Sequence, residues 1–339
     1  MDRKICVIGM GMFGFVLARH LALKYPGDKI LVYDREKNVI KNLIEERKHP
    51  VHFSNYRIPE NVIPTVDLEK VIKLSQIVVL STPTQKVRYA ARDIAKYLNR
   101  YSIVLNVSKG LEIETGERVS QILKEEIHTN YIYAVLSGGT IAGEMIRGDP
   151  LAAEIACKNE KVAGELQQIF STQNFRVYRN DDVTGVEIAG ALKNPLAIAS
   201  GIAWGLGYGA STISALVSRG SLEIKRLALK LGAREKTFNF GGQAAMGDIM
   251  TSCFGNTRNR KFGELIVACN SVEKALSTMS KQKKLVEGYF TSKAIYHLAK
   301  TLKVEMPIQN QVFQILHRRK KPNSALQELM NRTLKSLED

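Results

Sequence analysis

Residues 4 to 14 read Lys-Ile-Cys-Val-Ile-Gly-Met-Gly-Met-Phe-Gly, an apolar β-rich run that passes directly into three glycines spaced Gly9-x-Gly11-x-x-Gly14. A glycine pattern of this kind carries weight only when a strand precedes it and a helix follows, and both conditions hold here. Gly9 permits a tight turn, Gly11 lets a pyrophosphate approach the backbone, and Gly14 lets helix pack on strand, while the helix N-terminus offers amides to the phosphates. Met12 and Phe13 then flank a dinucleotide. The next apolar run ends in Val32-Tyr33-Asp34, which places a carboxylate 20 residues beyond Gly14, at the distance where an adenosine ribose presents its hydroxyls. Asp34 favours NAD, and Arg35 beside it offers the alternative of meeting the 2′-phosphate of NADP.

Working outward, KICVIG, KILVYD, QIVVLS, SIVLNV, YIYAVL, AAEIAC and FRVYR alternate with helical stretches from residue 3 to about residue 178. Such alternation predicts an α/β Rossmann-type domain, a mostly parallel sheet with helices on both faces. The direction of the later strands, around residues 152 to 178, stays open at this level. After Arg179, Ala, Leu, Gly and Lys at helical spacing run to the C-terminus, which predicts an all-α second domain. Turn and helix-start residues at Asn180, Asp181, Asp182 and Thr184 put the boundary near residues 180 to 186, giving domains of 1–183 and 184–339.

The chain has 339 residues, enough for two cores, and 45% apolar content, which excludes a disordered chain. Its 49 Lys and Arg against 33 Asp and Glu give a formal charge of +16, which favours anionic partners without naming one. Cys6, Cys157, Cys253 and Cys269 lie far apart and form no metal-ligand rhythm with the six histidines, so a reduced, cytoplasmic setting and no metal are expected. The charged, apolar N-terminus imitates a secretory signal, but its glycines and the strand that follows favour a folded βα unit. The uncharged stretch from Asn194 to Ser218 is long enough to span a bilayer. Its many Gly, Ser, Asn and Thr residues predict buried helices in a soluble core instead.

Chemistry concentrates in three places. Lys193 is the single charged residue between Ile188 and Ser218 in a chain that is 24% charged. Burial among Ala189, Ala191, Leu192, Leu196 and Ile198 disfavours an ammonium and makes its proton tradable. The plainer alternative is a lysine with a buried stem whose head reaches solvent or a carboxylate such as Glu187. Pro195 in the same helical stretch removes a backbone donor and frees a carbonyl nearby. Ser108-Lys109-Gly110 follows SIVLNV at the carboxyl end of a strand, the edge where open parallel sheets bind ligands. Gly255-Asn256-Thr257-Arg258-Asn259-Arg260-Lys261 packs amides and three cations into seven residues, a composition suited to gripping a phosphate, with Gly247-Asp248 and Thr251-Ser252 just before it.

These segments together resemble the NAD(P)-dependent glycerol-3-phosphate dehydrogenases, and the likeness spans nearly the whole chain. Val186-Glu187-Ile188-Ala189-Gly190-Ala191-Leu192-Lys193-Asn194 is similar to the family's lysine-bearing helix, and Ser108-Lys109-Gly110-Leu111-Glu112 to its lysine-glycine loop. Gly247-Asp248, Arg258-Asn259-Arg260 and Val286-Glu287-Gly288 complete the series in the family's order. The resemblance implies an oxidoreductase that interconverts dihydroxyacetone phosphate and sn-glycerol 3-phosphate with NAD or NADP, feeding phospholipid synthesis. It implies that Lys193 is the general acid or base, that Asp248 orients it, and that Lys109 and Asn194 sit beside the substrate. It further implies substrate contacts at Gly138, Thr140, Ser252, Thr257, Arg258 and Asn259, and cofactor neighbours at Lys109, Ala142, Arg258, Leu285 and Glu287. Three departures stand out: Gly139 replaces a usual proline, Gly209-Ala210-Ser211-Thr212 a usual Gly-Asp-Asn-Thr, and Gly242-Gln243-Ala244-Ala245-Met246-Gly247 a usual Gly-Leu-Ala-Gly-Leu-Gly. The rival expectations are a β-hydroxyacid dehydrogenase of the same architecture and a non-catalytic NAD- or nucleic-acid-binding protein, while a homodimer, no nucleic-acid partner and no transmembrane segment complete the set.

Overall fold

The structure is a computed structural model that describes residues 4–334 and residue 336. It divides into two compact units, Met1–Glu112 with Glu117–Glu187, and Ile113–Gly116 with Ile188–Asp339.

In the first unit, eight strands among the described residues form one sheet: β1 (Ile5–Ile8), β2 (Ile30–Tyr33), β3 (Val62–Thr65), β4 (Ile77–Leu80), β5 (Ile103–Asn106), β6 (Ile132–Ser137), β7 (Leu151–Cys157) and β8 (Phe175–Asn180). Their order is β3-β2-β1-β4-β5-β6-β7-β8. Helices α1 (Met12–Lys24), α2 (Lys37–Glu45), α3 (Leu68–Leu74), α4 (Val87–Ala95), α5 (Val119–Glu126), α6 (Ala142–Arg147) and α7 (Glu160–Phe170) connect them. Strand residues alternate between two cores, as a sheet covered on both faces requires. Ile5, Val7 and Val79 join Phe15 and Leu21 of α1 in one cluster. Cys6, Ile8 and Val78 join Ala91 of α4 and Ile122 of α5 in the other.

One feature corrects the reading of the sequence, and a second settles a direction that it left open. Val62–Thr65 is an additional strand, paired parallel to β2 at the sheet edge, where Pro64 is tolerated because an edge strand has a side without a ladder. β7 runs antiparallel to β6, with Ser137 opposite Glu154 and Ala134 opposite Cys157, while β8 returns parallel to β7. The reversal follows the short α6, which ends at Gly148 in a left-handed conformation (φ 84°).

The second unit contains helices α8 (Val183–Gly205), α9 (Ala210–Lys230), α10 (Asp248–Phe254), α11 (Arg258–Cys269), α12 (Val272–Lys281), α13 (Glu287–Thr301), α14 (Pro307–Arg318) and α15 (Pro322–Met330). Asp182 starts α8 by accepting the Gly185 amide at 2.8 Å, and the two units part inside this helix, between Glu187 and Ile188. α8 and α11 touch backbone to backbone. A Cβ built at Gly201 would lie 1.9 Å from the Arg260 carbonyl oxygen, and one at Gly263 2.2 Å from that of Ile198. No side chain fits at either position. The uncharged stretch from Asn194 to Ser218 is mostly buried in its first half, in α8, and in α9 only at Ile213 and Val217. Gly209, Ala210, Ser211, Ser214 and Ser218 are exposed, which corrects the expectation of buried helices throughout and is what small hydroxyl residues allow. Among the described residues no helix is long and apolar enough to cross a membrane.

Glu223 of α9 is 3% exposed and accepts the amides of Ile308 (2.8 Å) and Gln309 (3.1 Å) at the start of α14, a helix without a capping side chain of its own. Burial outweighs these amides and raises its pKa from 4.5 to about 7. The folded chain therefore keeps this proton to higher pH than the unfolded chain. The associated stability is full below about pH 4.5 and is lost as pH rises through about 7. Glu223→Gln should flatten the fall in Tm across that window, removing up to roughly 3 kcal/mol of pH-dependent stability. Thermal melts of both proteins from acid to neutral pH check this, and identical slopes would refute it.

Candidate functional site

The glycine turn lies between β1 and α1, where the sheet order reverses direction beside β4. Gly9 takes φ +94°, and a Cβ there would lie 2.5 Å from the Ser81 carbonyl oxygen at the end of β4. At Gly14 a Cβ would lie 1.9 Å from the Gly9 carbonyl oxygen, whereas at Gly11 it would meet nothing within 4 Å. Two glycines are thus required by packing, and the third faces open space. α1 begins at Gly11 without a side-chain cap and without an acidic residue in its first turn, so its leading amides are offered to an anion. Met12 and Phe13 are half-buried in that turn.

Asp34 closes this site from β2. One carboxylate oxygen accepts the Met10 amide at 2.7 Å and the other the Glu36 amide at 2.8 Å. Arg35 is exposed beside it. These features fit a dinucleotide: an open approach at Gly11, uncapped amides, and an anchored carboxylate at a ribose's distance. His49, which the sequence pattern does not single out, packs here as well. It is 5% exposed, stacks on His52 at 4.7 Å and meets Phe15 edge-on at 5.9 Å, while Nδ1 accepts the Val51 and His52 amides. Desolvation and the neighbouring His52 lower its pKa to about 4, which keeps it neutral.

On the same edge of the sheet, Lys109 Nζ donates to the Gly138 carbonyl at 2.7 Å. The Thr140 amide donates to that oxygen at 2.7 Å and its hydroxyl at 3.3 Å. Three residues named from sequence therefore meet at one atom. Gly138 is required here, since a Cβ would lie 2.6 Å from Ala153 Cα. Gly139 follows it, half-buried, and Ala142 opens α6.

The second unit holds the amine. Lys193 is 8% exposed, and Nζ lies 2.6 Å from Asp248 Oδ1 and 2.6 Å from Ser252 Oγ, both on α10. Its carboxylate partner is Asp248 and not Glu187. Glu187 instead accepts from Arg118 (2.8 Å), the Ser120 amide (2.8 Å) and hydroxyl (2.5 Å), and Tyr133 (2.6 Å). Asp248 is 1% exposed, so the pair is an ion pair withdrawn from water, where loss of either member is costly. Cys253 lies alongside, its thiol pushed up to about 12 by burial and so unreactive.

Next to Lys193, Asn194 Oδ1 accepts from Asn259 Nδ2 at 2.9 Å, and Asn259 Oδ1 accepts the Gly288 amide at 3.1 Å. Gly288 abuts α8 so closely that a Cβ would lie 2.8 Å from the Asn194 carbonyl oxygen. Thr257 caps α11 and donates to the Ser252 carbonyl at 2.8 Å. Arg258 thereby occupies the first turn of α11, where helix amides and a guanidinium act on the same anion. It is exposed, yet the surrounding protein desolvates it and holds it below the ordinary arginine value, with Glu287 opposing that pull. Leu285 is 36% exposed just before α13. Of the three departures, Ala210 and Ser211 are exposed at the start of α9, while Gln243–Gly247 forms a π-helical turn that runs directly into α10 and so into Asp248.

A Rossmann sheet with a dinucleotide turn, joined to a helical unit that buries a lysine against a carboxylate, defines a nicotinamide-dependent dehydrogenase. Residues 4–163 match the NAD-dependent glycerol-3-phosphate dehydrogenase N-terminus and residues 182–327 its C-terminus. The chain belongs to this family. A relative from Halothermothrix orenii named glycerol-3-phosphate dehydrogenase (NAD(P)+) is 39% identical over 335 residues, covering 98% of this chain and 96% of that one. The crystal structure of glycerol-3-phosphate dehydrogenase from Coxiella burnetii superposes with a TM-score of 0.91 at 29% identity, covering 97% of this chain and 99% of that one. D-mandelate dehydrogenase, at 13% identity and a TM-score of 0.60 over 95% of this chain and 99% of its own, shares the fold alone. The protein is an enzyme of the NAD(P)-dependent oxidoreductases, which sets aside the non-catalytic expectation.

Proposed function

We propose that this enzyme interconverts dihydroxyacetone phosphate and sn-glycerol 3-phosphate, using residues 1–183 for the nucleotide and 184–339 for the substrate. The reading further places it in the cytoplasm, as a homodimer that supplies glycerol 3-phosphate for phospholipid synthesis. The observation that carries it is the buried Lys193 amine held between Asp248 and Ser252, one residue from Asn194 and its link to the Arg258–Asn259 turn.

The nicotinamide supplies the hydride when bound. Met12, Phe13, Ala142 and the glycine turn would hold it, the family likeness adds Leu285 and Glu287 as neighbours, and Asp34 would favour NAD because its carboxylate repels a 2′-phosphate, while Arg35 keeps NADP within reach. Lys193 gives its proton to the forming alkoxide in reduction and recovers it in oxidation. Asp248 and Ser252 aim that proton. Arg258, Thr257 and Asn259 grip the phosphate end, and the family likeness assigns substrate contacts to Lys109, Gly138 and Thr140 as well.

Arg258→Ala should raise KM for dihydroxyacetone phosphate about 100-fold, the loss of a charge-assisted contact, with a smaller change in kcat. Unphosphorylated dihydroxyacetone should respond to the substitution little. NADH and NADPH oxidation measured against both ketones tests cofactor and substrate class at once, and equal turnover of the two ketones would overturn the assignment.

A further inference from the structure

Lys109 sits on a loop that one guanidinium grips at two points. The loop leaves β5 at Asn106 and reaches α5 at Val119. Ser108 Oγ donates to the Thr82 carbonyl at 2.5 Å, Gln85 Nε2 to that of Leu111 at 2.8 Å, and the Glu112 amide to that of Glu117 at 3.0 Å. Arg88, in the first turn of α4, then takes hold of both acidic side chains. Its Nε and Nη2 meet Glu112 at 3.0 and 2.7 Å, and Nη2 also meets Glu117 at 2.9 Å. Nη1 reaches Glu125 and Glu126 at the end of α5, each at 2.7 Å, and Arg92 adds Glu126 at 2.7 Å.

Neither helix gains locally from these charges. A cation in the first turn of α4 and two carboxylates at the end of α5 each oppose their own helix dipole. The arrangement makes sense through what it joins. Four carboxylates converge on two guanidinium groups, and the Arg88, Glu112 and Glu126 side chains are mostly withdrawn from water. Burial and a hydrogen bond that its carboxyl donates to Glu125 hold Glu117 above the usual carboxylate value against the pull of Arg88. Without Arg88 the Glu112 and Glu117 carboxyls lose the cation they share, and nothing of equal charge draws those two points of the loop together. A lysine keeps one charge but lacks the planar fork that spans two carboxylates.

We propose that Arg88 is a positioning residue for the reaction, fixing the loop that presents Lys109 by clamping Glu112 and Glu117 together. This rests on the reading of Lys109 as a substrate contact. Lys109 is held to the Gly138 carbonyl at 2.7 Å, so a displaced loop takes Lys109, Gly138 and Thr140 out of register.

The test is a double-mutant cycle on the full-length enzyme with Arg88→Lys and Lys109→Met, with Arg92→Met as the neighbouring control. Folding is followed by circular dichroism and Tm, and loop order by amide hydrogen exchange over residues 107 to 118. Arg88→Lys should remain folded, exchange faster in that segment and raise KM for dihydroxyacetone phosphate about tenfold, with kcat less affected. In the Lys109→Met background the same change should add little. Arg92→Met should leave the kinetics alone. If Lys109→Met is itself impaired and Arg88→Lys multiplies the defect in full, or if exchange and KM are unchanged, the clamp is refuted while the role of Lys109 survives. If Lys109→Met behaves as wild type, the substrate-contact reading fails and takes the clamp with it. Should Arg88→Lys not fold, adding Glu117→Gln leaves a neutral side chain there, and the same cycle on that background supports or refutes the clamp by the same outcomes.

Discussion

Lys193→Met should lower kcat for reduction of dihydroxyacetone phosphate by about 1,000-fold, within the span that a positioned general acid contributes. Methionine keeps the unbranched stem that packs in α8 and removes only the proton donor. The substitution also takes the cation away from the Asp248 carboxylate, which is 1% exposed. A drop in stability of about 3 kcal/mol or more accompanies loss of one member of such a buried ion pair. The two effects separate cleanly. Lys193→Met combined with Asp248→Asn should recover most of the lost Tm and none of the lost turnover. Stopped-flow NADH oxidation and thermal melts on the three proteins decide the matter, and a single mutant that keeps near wild-type kcat would remove Lys193 from the chemistry.

Gly14→Ala should cost the enzyme most of its affinity for NADH, about 100-fold, together with several degrees of Tm. The added carbon has nowhere to go, because it would sit 1.9 Å from the Gly9 carbonyl oxygen and 3.2 Å from Ser81 Oγ. The turn must open, and overpacking of this kind is itself destabilising. Gly11→Ala is the informative companion. With nothing within 4 Å of the new carbon, it should melt like wild type yet bind NADH more weakly, since it fills the space a pyrophosphate enters. Fluorescence titration beside the melts gives both readouts. Tight NADH binding by Gly11→Ala would mean that the phosphates lie elsewhere.

The parts of the fold that were legible from sequence were those written in local pattern. KICVIG followed by spaced glycines fixed a strand, a turn and a helix because each residue's role there depends on near neighbours. Val62–Thr65 escaped because Pro64 demotes a run that lacks alternation, and only pairing with β2 makes it a strand. The reversal of β7 depends on where α6 stops, a matter of a few residues around Gly148 that periodicity does not report.

The site divides in the same way. Lys193 stood out as a lone cation in an apolar window, but its partner lies 55 residues away on α10, and a nearer acid, Glu187, looked equally suitable. What distinguishes them is tertiary: Arg118, Ser120 and Tyr133 already occupy Glu187. Asp248 was visible as a carboxylate before the basic run, but its pairing with Lys193 came from family likeness alone. His49 carried no signal, since a histidine beside a proline in a polar stretch has no pattern that marks it as buried under the glycine turn. Gly201 and Gly263 were likewise silent. Their function, to let α8 and α11 touch, appears only once both helices are in place.

The Asp34 carboxylate has two occupations, and this bears on any attempt to redesign the nucleotide preference. One of its oxygens already tethers the Met10 amide, so the acid proposed to set the nucleotide preference also stakes out the glycine turn. Exchanging it for a neutral or basic side chain to welcome the extra phosphate would slacken that loop in the same stroke. A successful conversion must therefore begin by giving Met10 a replacement acceptor, and only then alter the charge.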